Sequence, residues 1–206
     1  MRLLFSAVFI LLATFYSFSQ IKYGISSGVN IHHRERTFDN KKIGLQVGVD
    51  GFMSLSKRAY LHAGLNLINL RSKYENYKVE FYGTNDPSYT INSSTNYLYT
   101  DVPFTFGYKV IANAKLEIGA EGGWFFSYGV GGRSKGSLTY DDDHIVAFSE
   151  RAFKYDHTIN TGPSAVISST ILEHYLIRMF GEWDITNSKD GHLKHQVYGL
   201  SIGYIF

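Results

Sequence analysis

The side chains with chemistry to offer fall into two sets. Six acids, Asp50, Asp101, Glu117, Glu121, Glu182 and Asp184, and four basic groups, Lys22, His62, Lys109 and Arg178, lie in stretches that otherwise alternate with aliphatic and aromatic residues. A second set sits in polar connecting stretches: His32-His33, the run Asp141-Asp142-Asp143-His144, and His192 with His195. Histidine with carboxylates binds divalent metals or serves as acid and base in hydrolysis. Neither set repeats a ligand spacing, and the HExxH arrangement that would fix metal-assisted hydrolysis is absent from the sequence. An Asp run at a hairpin tip is ordinarily a solvated turn. The expectation is therefore no catalytic residue, no metal site, no cofactor and no enzymatic activity. The chain has no cysteine, which removes thiol nucleophiles, thiolate ligands and disulfides.

The first set is positioned by a strand pattern. Eight segments, residues 21–31, 43–53, 59–67, 102–110, 116–130, 155–167, 175–185 and 196–206, alternate apolar with polar or small side chains. In the last of them Tyr198, Leu200, Ile202 and Tyr204 oppose Gly199, Ser201 and Gly203. In the fifth, Trp124, Phe126 and Tyr128 share a face opposite Glu117, Glu121 and Ser127. The sixth is the weakest, because Pro163 falls on its apolar face and has no N–H for a ladder.

The connections alternate as strictly as the side chains. Those at 54–58, 111–114 and 168–174 are short, whereas those at 32–42, 71–96, 131–154 and 187–194 are long and polar. An eight-stranded antiparallel transmembrane β-barrel with short periplasmic turns and long extracellular loops produces this order. In a bilayer core each backbone N–H and C=O needs a partner, so a sheet survives there by closing on itself. A soluble, lipocalin-like barrel with its apolar side chains inside fits the same alternation. Against it stand the aliphatic and aromatic bulk it would have to enclose and the terminal Phe206, read as an interface anchor and, by resemblance to outer-membrane barrels, as a membrane-insertion signal.

Composition agrees with the membrane reading. Of 206 residues 44% are hydrophobic and 16% aromatic, with 16 Tyr and 15 Phe, and aromatic girdles mark both interfaces of a membrane barrel. Arg2, an apolar run over 3–15 and Ser17 and Ser19 describe a signal peptide over residues 1–19, leaving 20–206 as the barrel domain. Without Arg2 the 20 Lys+Arg become 19 against 18 Asp+Glu, a net charge of +1. That balance implies no nucleic-acid partner and no bulk attraction to lipid.

The fourth segment, Tyr97-Leu98-Tyr99-Thr100-Asp101-Val102-Pro103-Phe104-Thr105-Phe106-Gly107-Tyr108, resembles the aromatic-Leu-x-acid-Ile-Pro strand of the PorT-like outer-membrane β-barrel family. The stretch from Ile21 to Asn30 is similar to that family's first strand, and Tyr175 to Phe180 leading to Asp184-Ile185-Thr186-Asn187 to its seventh. Asp101 stands where members usually carry Glu. The resemblance implies a small outer-membrane barrel of Gram-negative bacteria; it implies little of function, since only the type protein is tied to type IX secretion.

The interior of an eight-stranded barrel is just wide enough for side chains to fill, so the inward charges must pair or hold water. Arg178 is the expected hub, among Glu182, Asp184 and acids of other strands. The alternative is a proton or ion path. Residues 74–81 with 88–97, and 137–140 with 145–153, alternate as hairpins rising beyond the membrane, with Tyr77, Phe81, Tyr82 and Phe148 as candidate anchors for a protein or glycan partner. The expected role is structural or binding, as a monomer that meets outer-membrane lipid and the barrel assembly machinery. A narrow pore or secretion accessory, and a loop-site hydrolase or lipid-modifying enzyme, are the alternatives.

Overall fold

The alternating segments close into a ring. A computed structural model describes residues 21–34, 42–79, 88–153, 158–186 and 195–206; the 1–19 signal segment, Phe81, Tyr82 and His192 lie outside the described residues. The strands are β1 Ile21–Arg34, β2 Lys42–Ser54, β3 Ala59–Val79, β4 Tyr89–Ala112, β5 Leu116–Tyr140, β6 Ile145–Arg151, β7 Ile159–Ile171, β8 Tyr175–Trp183 and β9 His195–Ile205. They pair antiparallel in the order β4-β3-β2-β1-β9-β8-β7-β5, and β4 pairs with β5 to shut the ring. Eight strands therefore form the barrel, while β6 pairs with the upper part of β5, at residues 133–139.

Both strand prolines sit where the ladder does without a donor. Pro103 partners Phe125 on β5, and the β3–β4 ladder skips from Ala63↔Phe104 to Asn66↔Asp101 around it without a register shift. Pro163 is level with Trp124, just beyond the last β7–β8 pair, Ser164↔Glu182. The weak sixth segment thus survives with its proline at a ladder end, running Ile159–Ile171 instead of 155–167. The connection after it shrinks from the expected 168–174 to the three residues Leu172, Glu173 and His174, the first two at positive φ (52° and 65°), as primed turns require.

Side-chain direction decides between lipid and water outside. Val47 (55%), Phe104 (54%), Met179 (55%) and Ile202 (63%) are exposed on the outer wall, whereas His62, Asp101 and Thr105 inside are at 0%. A soluble barrel would have these faces exchanged, so the lipocalin-like alternative is overturned. An apolar wall of this kind is stable only against hydrocarbon. Tyr23, Tyr108, Tyr175 and Tyr204 ring the wall near the short turns. Towards the other end Trp183 Nε1 donates to the Tyr198 hydroxyl at 3.1 Å.

Above the wall the alternation reverses. In β4 the outward Val102, Phe104 and Phe106 give way to outward Thr90, Asn92, Ser94 and Asn96, and the apolar side chains Tyr89, Ile91 and Tyr97 move to the barrel-interior face. In β3 the outward Leu65 and Leu67 are followed by outward Asn69 and Arg71, with Ile68 and Leu70 inside. Water replaces lipid outside at that level. The stretches 71–96 and 131–154, expected as long connections carrying hairpins, are largely strand, with β3, β4, β5 and β6 continuing upward as a four-stranded sheet.

Candidate functional site

The interior is built in layers, starting with an ion cluster halfway up. Strand alternation turns Asp50 of β2, His62 of β3, Thr105 of β4, Glu121 of β5 and Arg178 of β8 inward. Arg178 donates from Nη1 to Asp50 Oδ1 at 3.0 Å and from Nη2 to Glu121 Oε2 at 3.2 Å. His62 lies between the same acids, Nε2 at 2.9 Å from Asp50 Oδ1 and Nδ1 at 3.3 Å from Glu121 Oε2. The remaining lone pairs are taken by hydroxyls: Ser26 donates to Asp50 (2.7 Å), and Thr105 (2.6 Å) and Tyr60 (3.1 Å) donate to Glu121. Two buried carboxylates thus share one guanidinium and one imidazole, and such pairing is what makes burying charge tolerable. Tyr60 reaches Glu121 because its ring lies flat on Gly107, where a Cβ would come within 2.2 Å of it.

The carboxylates that Arg178 bonds are Asp50 and Glu121, not the expected Glu182 and Asp184 of its own stretch. Asp184 lies beyond the end of β8, where its carboxylate accepts from the Thr186 N–H at 2.8 Å and the Thr161 N–H at 3.3 Å, and it forms no ion pair among the described residues. Glu182 is buried one layer above Arg178 near Asp101, which accepts from Ser127 Oγ at 2.5 Å. Lys109 and Glu117 pair at 2.7 Å but are partly exposed at the turn end. Lys22 is half-buried at the same rim. Phe206 donates its N–H to Tyr23 O at 2.8 Å and sets its ring edge-on against Tyr204 at 5.4 Å, on the tyrosine girdle.

Over the charges sits an apolar cap of Ile68, Leu70, Tyr97, Tyr99 and Val197, against which Phe153 and Phe180 pack. Two enclosed spaces between the cap and the ion cluster measure about 20 Å³ each, room for roughly one water apiece. Side chains fill the ring instead of lining a channel. Beside the cap, His32 of β1 and His195 of β9 stack with ring centroids 4.7 Å apart and Nε2 to Nδ1 at 2.6 Å. Both belong to strand ends instead of loops. His144 is exposed at the β5–β6 tip, where its N–H bonds to Asp142 Oδ1 at 3.1 Å, a turn interaction. Among the described residues no three His, Asp or Glu converge to hold a metal ion.

An aromatic recess with a polar rim lies above the cap. Because the alternation has reversed, the face of the upper sheet that continues the barrel interior carries Tyr74 and Tyr77 of β3, Tyr89 and Ile91 of β4, Leu138 of β5 and Phe148 of β6. They enclose a cleft of about 610 Å³ with Tyr97 at its floor and Ser93, Thr95, Ser134 and Glu150 among its walls. Tyr77 and Phe148, expected as anchors on separate hairpins, line this one cleft. Tyr74, Tyr89 and Leu138 were missed, although the reversed alternation over 89–97 was a signal that could have found them.

No family model matches the chain, and no curated protein matches it. Among solved structures it is similar to a major outer membrane protein from Thermus thermophilus, at 12% identity over 91% of this chain and 100% of that one, with a TM-score of 0.47. It is also similar to Ail, the attachment invasion locus protein of Yersinia pestis, at 12% identity over 91% and 99% of the two chains with a TM-score of 0.43. The outer membrane protein OprG from Pseudomonas aeruginosa is 12% identical over 90% of this chain and 94% of its own, with a TM-score of 0.42. With its closed ring, apolar outer wall and polar interior, the chain is an outer-membrane β-barrel protein.

Proposed function

We propose that the protein is a closed, non-catalytic scaffold that presents the aromatic cleft between its two hairpins to a protein or glycan partner outside the cell. The observation that carries this reading is the reversed alternation: apolar and aromatic side chains are placed on one face of a sheet that stands in water, where a structural connection would need none. Recognition surfaces favour such Tyr and Phe rings, which bring large contact area with little rotamer entropy to lose. Rigid strands hold them instead of mobile loops. Among small outer-membrane barrels the PorT-like resemblance of the β4 segment would place the chain with secretion accessories; the filled interior favours a partner-binding form of that role over a pore.

The double substitution Tyr77→Ala with Phe148→Ala tests this. Labelled barrel in neutral detergent is applied to arrays of immobilised glycans and of surface proteins. The wild-type chain is expected to retain a defined set of spots, and the variant to lose them by about tenfold or more, the effect of removing two central aromatic anchors. Unchanged spots on the variant, with unchanged heat-modifiable migration, would move the binding surface elsewhere.

A further inference from the structure

We propose that the outer rim of the barrel holds the phosphate groups of a phosphorylated lipid headgroup. The observation is a row of cations on the face of the upper sheet that looks away from the cleft. Lys42 is the register partner of Arg71, Arg71 of Asn96, Asn96 of Arg133, and Arg133 of Arg151. Four cations therefore lie on one rung across five strands. At both ends of the rung, like charges stand directly opposite each other, an arrangement that destabilises a sheet unless something anionic lies between. One rung higher Lys73 and Lys135 flank Ser94. Lys73 pairs with Glu75, whereas no carboxylate among the described residues forms an ion pair with Arg71, Arg133, Lys135 or Arg151.

The height of the rung identifies the anion. Leu67, Thr100, Tyr128 and Ile159 form the rung four residues below it on β3 and β4, and Tyr128 and Ile159 are exposed on the lipid-facing wall. Four strand residues span ~13 Å. With the usual tilt of barrel strands that is about 10 Å of height, which brings the cations to the headgroup layer bounding the hydrocarbon. A notch of about 870 Å³ opens at that level beside the lower end of β6, with Arg133 and Arg151 above, the outward Val130 as apolar lining, and Glu150 beside them. Guanidinium above and hydrocarbon surface below match a phosphate joined to acyl chains. Arginine binds phosphate by two parallel N–H···O bonds. A free polyanion would have no use for the apolar half.

The test uses purified barrel in neutral detergent, a fluorescent bisphosphorylated lipid A as probe, its dephosphorylated form, and inorganic phosphate as competitor. Each surface cation contributes roughly fivefold to binding an anionic lipid surface. The expected result is that the phosphorylated lipid binds at least tenfold more tightly than the dephosphorylated one, that Arg133→Gln with Arg151→Gln removes the difference, and that millimolar phosphate does not compete. Lys42→Gln with Arg71→Gln, at the other end of the rung, should weaken binding by a similar factor. Heat-modifiable migration checks that each variant is folded. Equal binding of the two lipids, or variants that keep wild-type discrimination, would overturn the proposal. Full competition by inorganic phosphate would overturn the lipid assignment in favour of a soluble anion.

Discussion

Replacing Arg178 with alanine is expected to destabilise the barrel by about 3–5 kcal/mol, the usual effect of removing one partner from a buried ion pair. Arg178 donates to both Asp50 and Glu121, each with a fully buried side chain. Without the guanidinium two carboxylates face each other across His62 in a space too small for a hydration shell. The hydroxyls of Ser26, Thr105 and Tyr60 stay in place, but neutral donors do not offset a lost charge. Lys109→Ala is the matched control: its pair with Glu117 is 22% and 28% exposed and should contribute roughly 1 kcal/mol or less. Urea titration of both variants in lipid vesicles reads the difference. A midpoint for Arg178→Ala no lower than that of Lys109→Ala would show that the cluster does not hold the barrel together.

The second large effect is functional. Joining Ser72 to Thr95 and Ser134 to Glu150 through Asn-Gly turns removes the upper hairpins while leaving the ring pairings from Ser72↔Thr95 and Thr95↔Ser134 downward. The membrane part of the ladder, from Leu67↔Thr100 and Thr100↔Tyr128 downward, is untouched, and Asn-Gly favours the two-residue hairpin turn that the new ends require. The trimmed chain should insert and show heat-modifiable migration as the intact chain does. It should lose all of the array binding, because Tyr74, Tyr77, Tyr89 and Phe148 leave together. It keeps Arg71, Arg133 and Arg151, so lipid binding should persist. Retained array binding by the trimmed barrel would transfer recognition to the short turns or the outer wall.

The lower half of the molecule was legible because its alternation keeps one phase from strand to strand. Once Trp124, Phe126 and Tyr128 face outward, Glu121 and Ser127 have no direction but inward. What spacing does not carry is the stagger of one strand against another around a ring. Arg178 meets Asp50 across 128 residues and His62 across 116, contacts set by barrel closure, whereas its sequence neighbour Asp184 falls past the strand end and turns to Thr161 and Thr186. The meeting of His32 with His195, 163 residues apart, was hidden for the same reason. Tyr60 was overlooked because an aromatic on the polar face breaks the pattern; its place is made by Gly107 on the next strand. The upper sheet was harder to read since its phase reverses at the water boundary, where polar outward residues resemble those of a loop.

Recognition by the aromatic cleft requires above all that the two hairpins stand outside the cell while the short turns face the periplasm. A chain without cysteine lets single thiols report this directly. Ser137→Cys lies on the outer face of β5, and Ser56→Cys in the exposed turn between β2 and β3. Intact cells are treated with a membrane-impermeant maleimide, and the same variants are labelled after lysis as a measure of full reaction. The expected result is labelling at position 137 in intact cells, and labelling at position 56 only after lysis. Labelling at 56 with protection at 137 in intact cells would contradict this orientation, placing the aromatic cleft inside the periplasm.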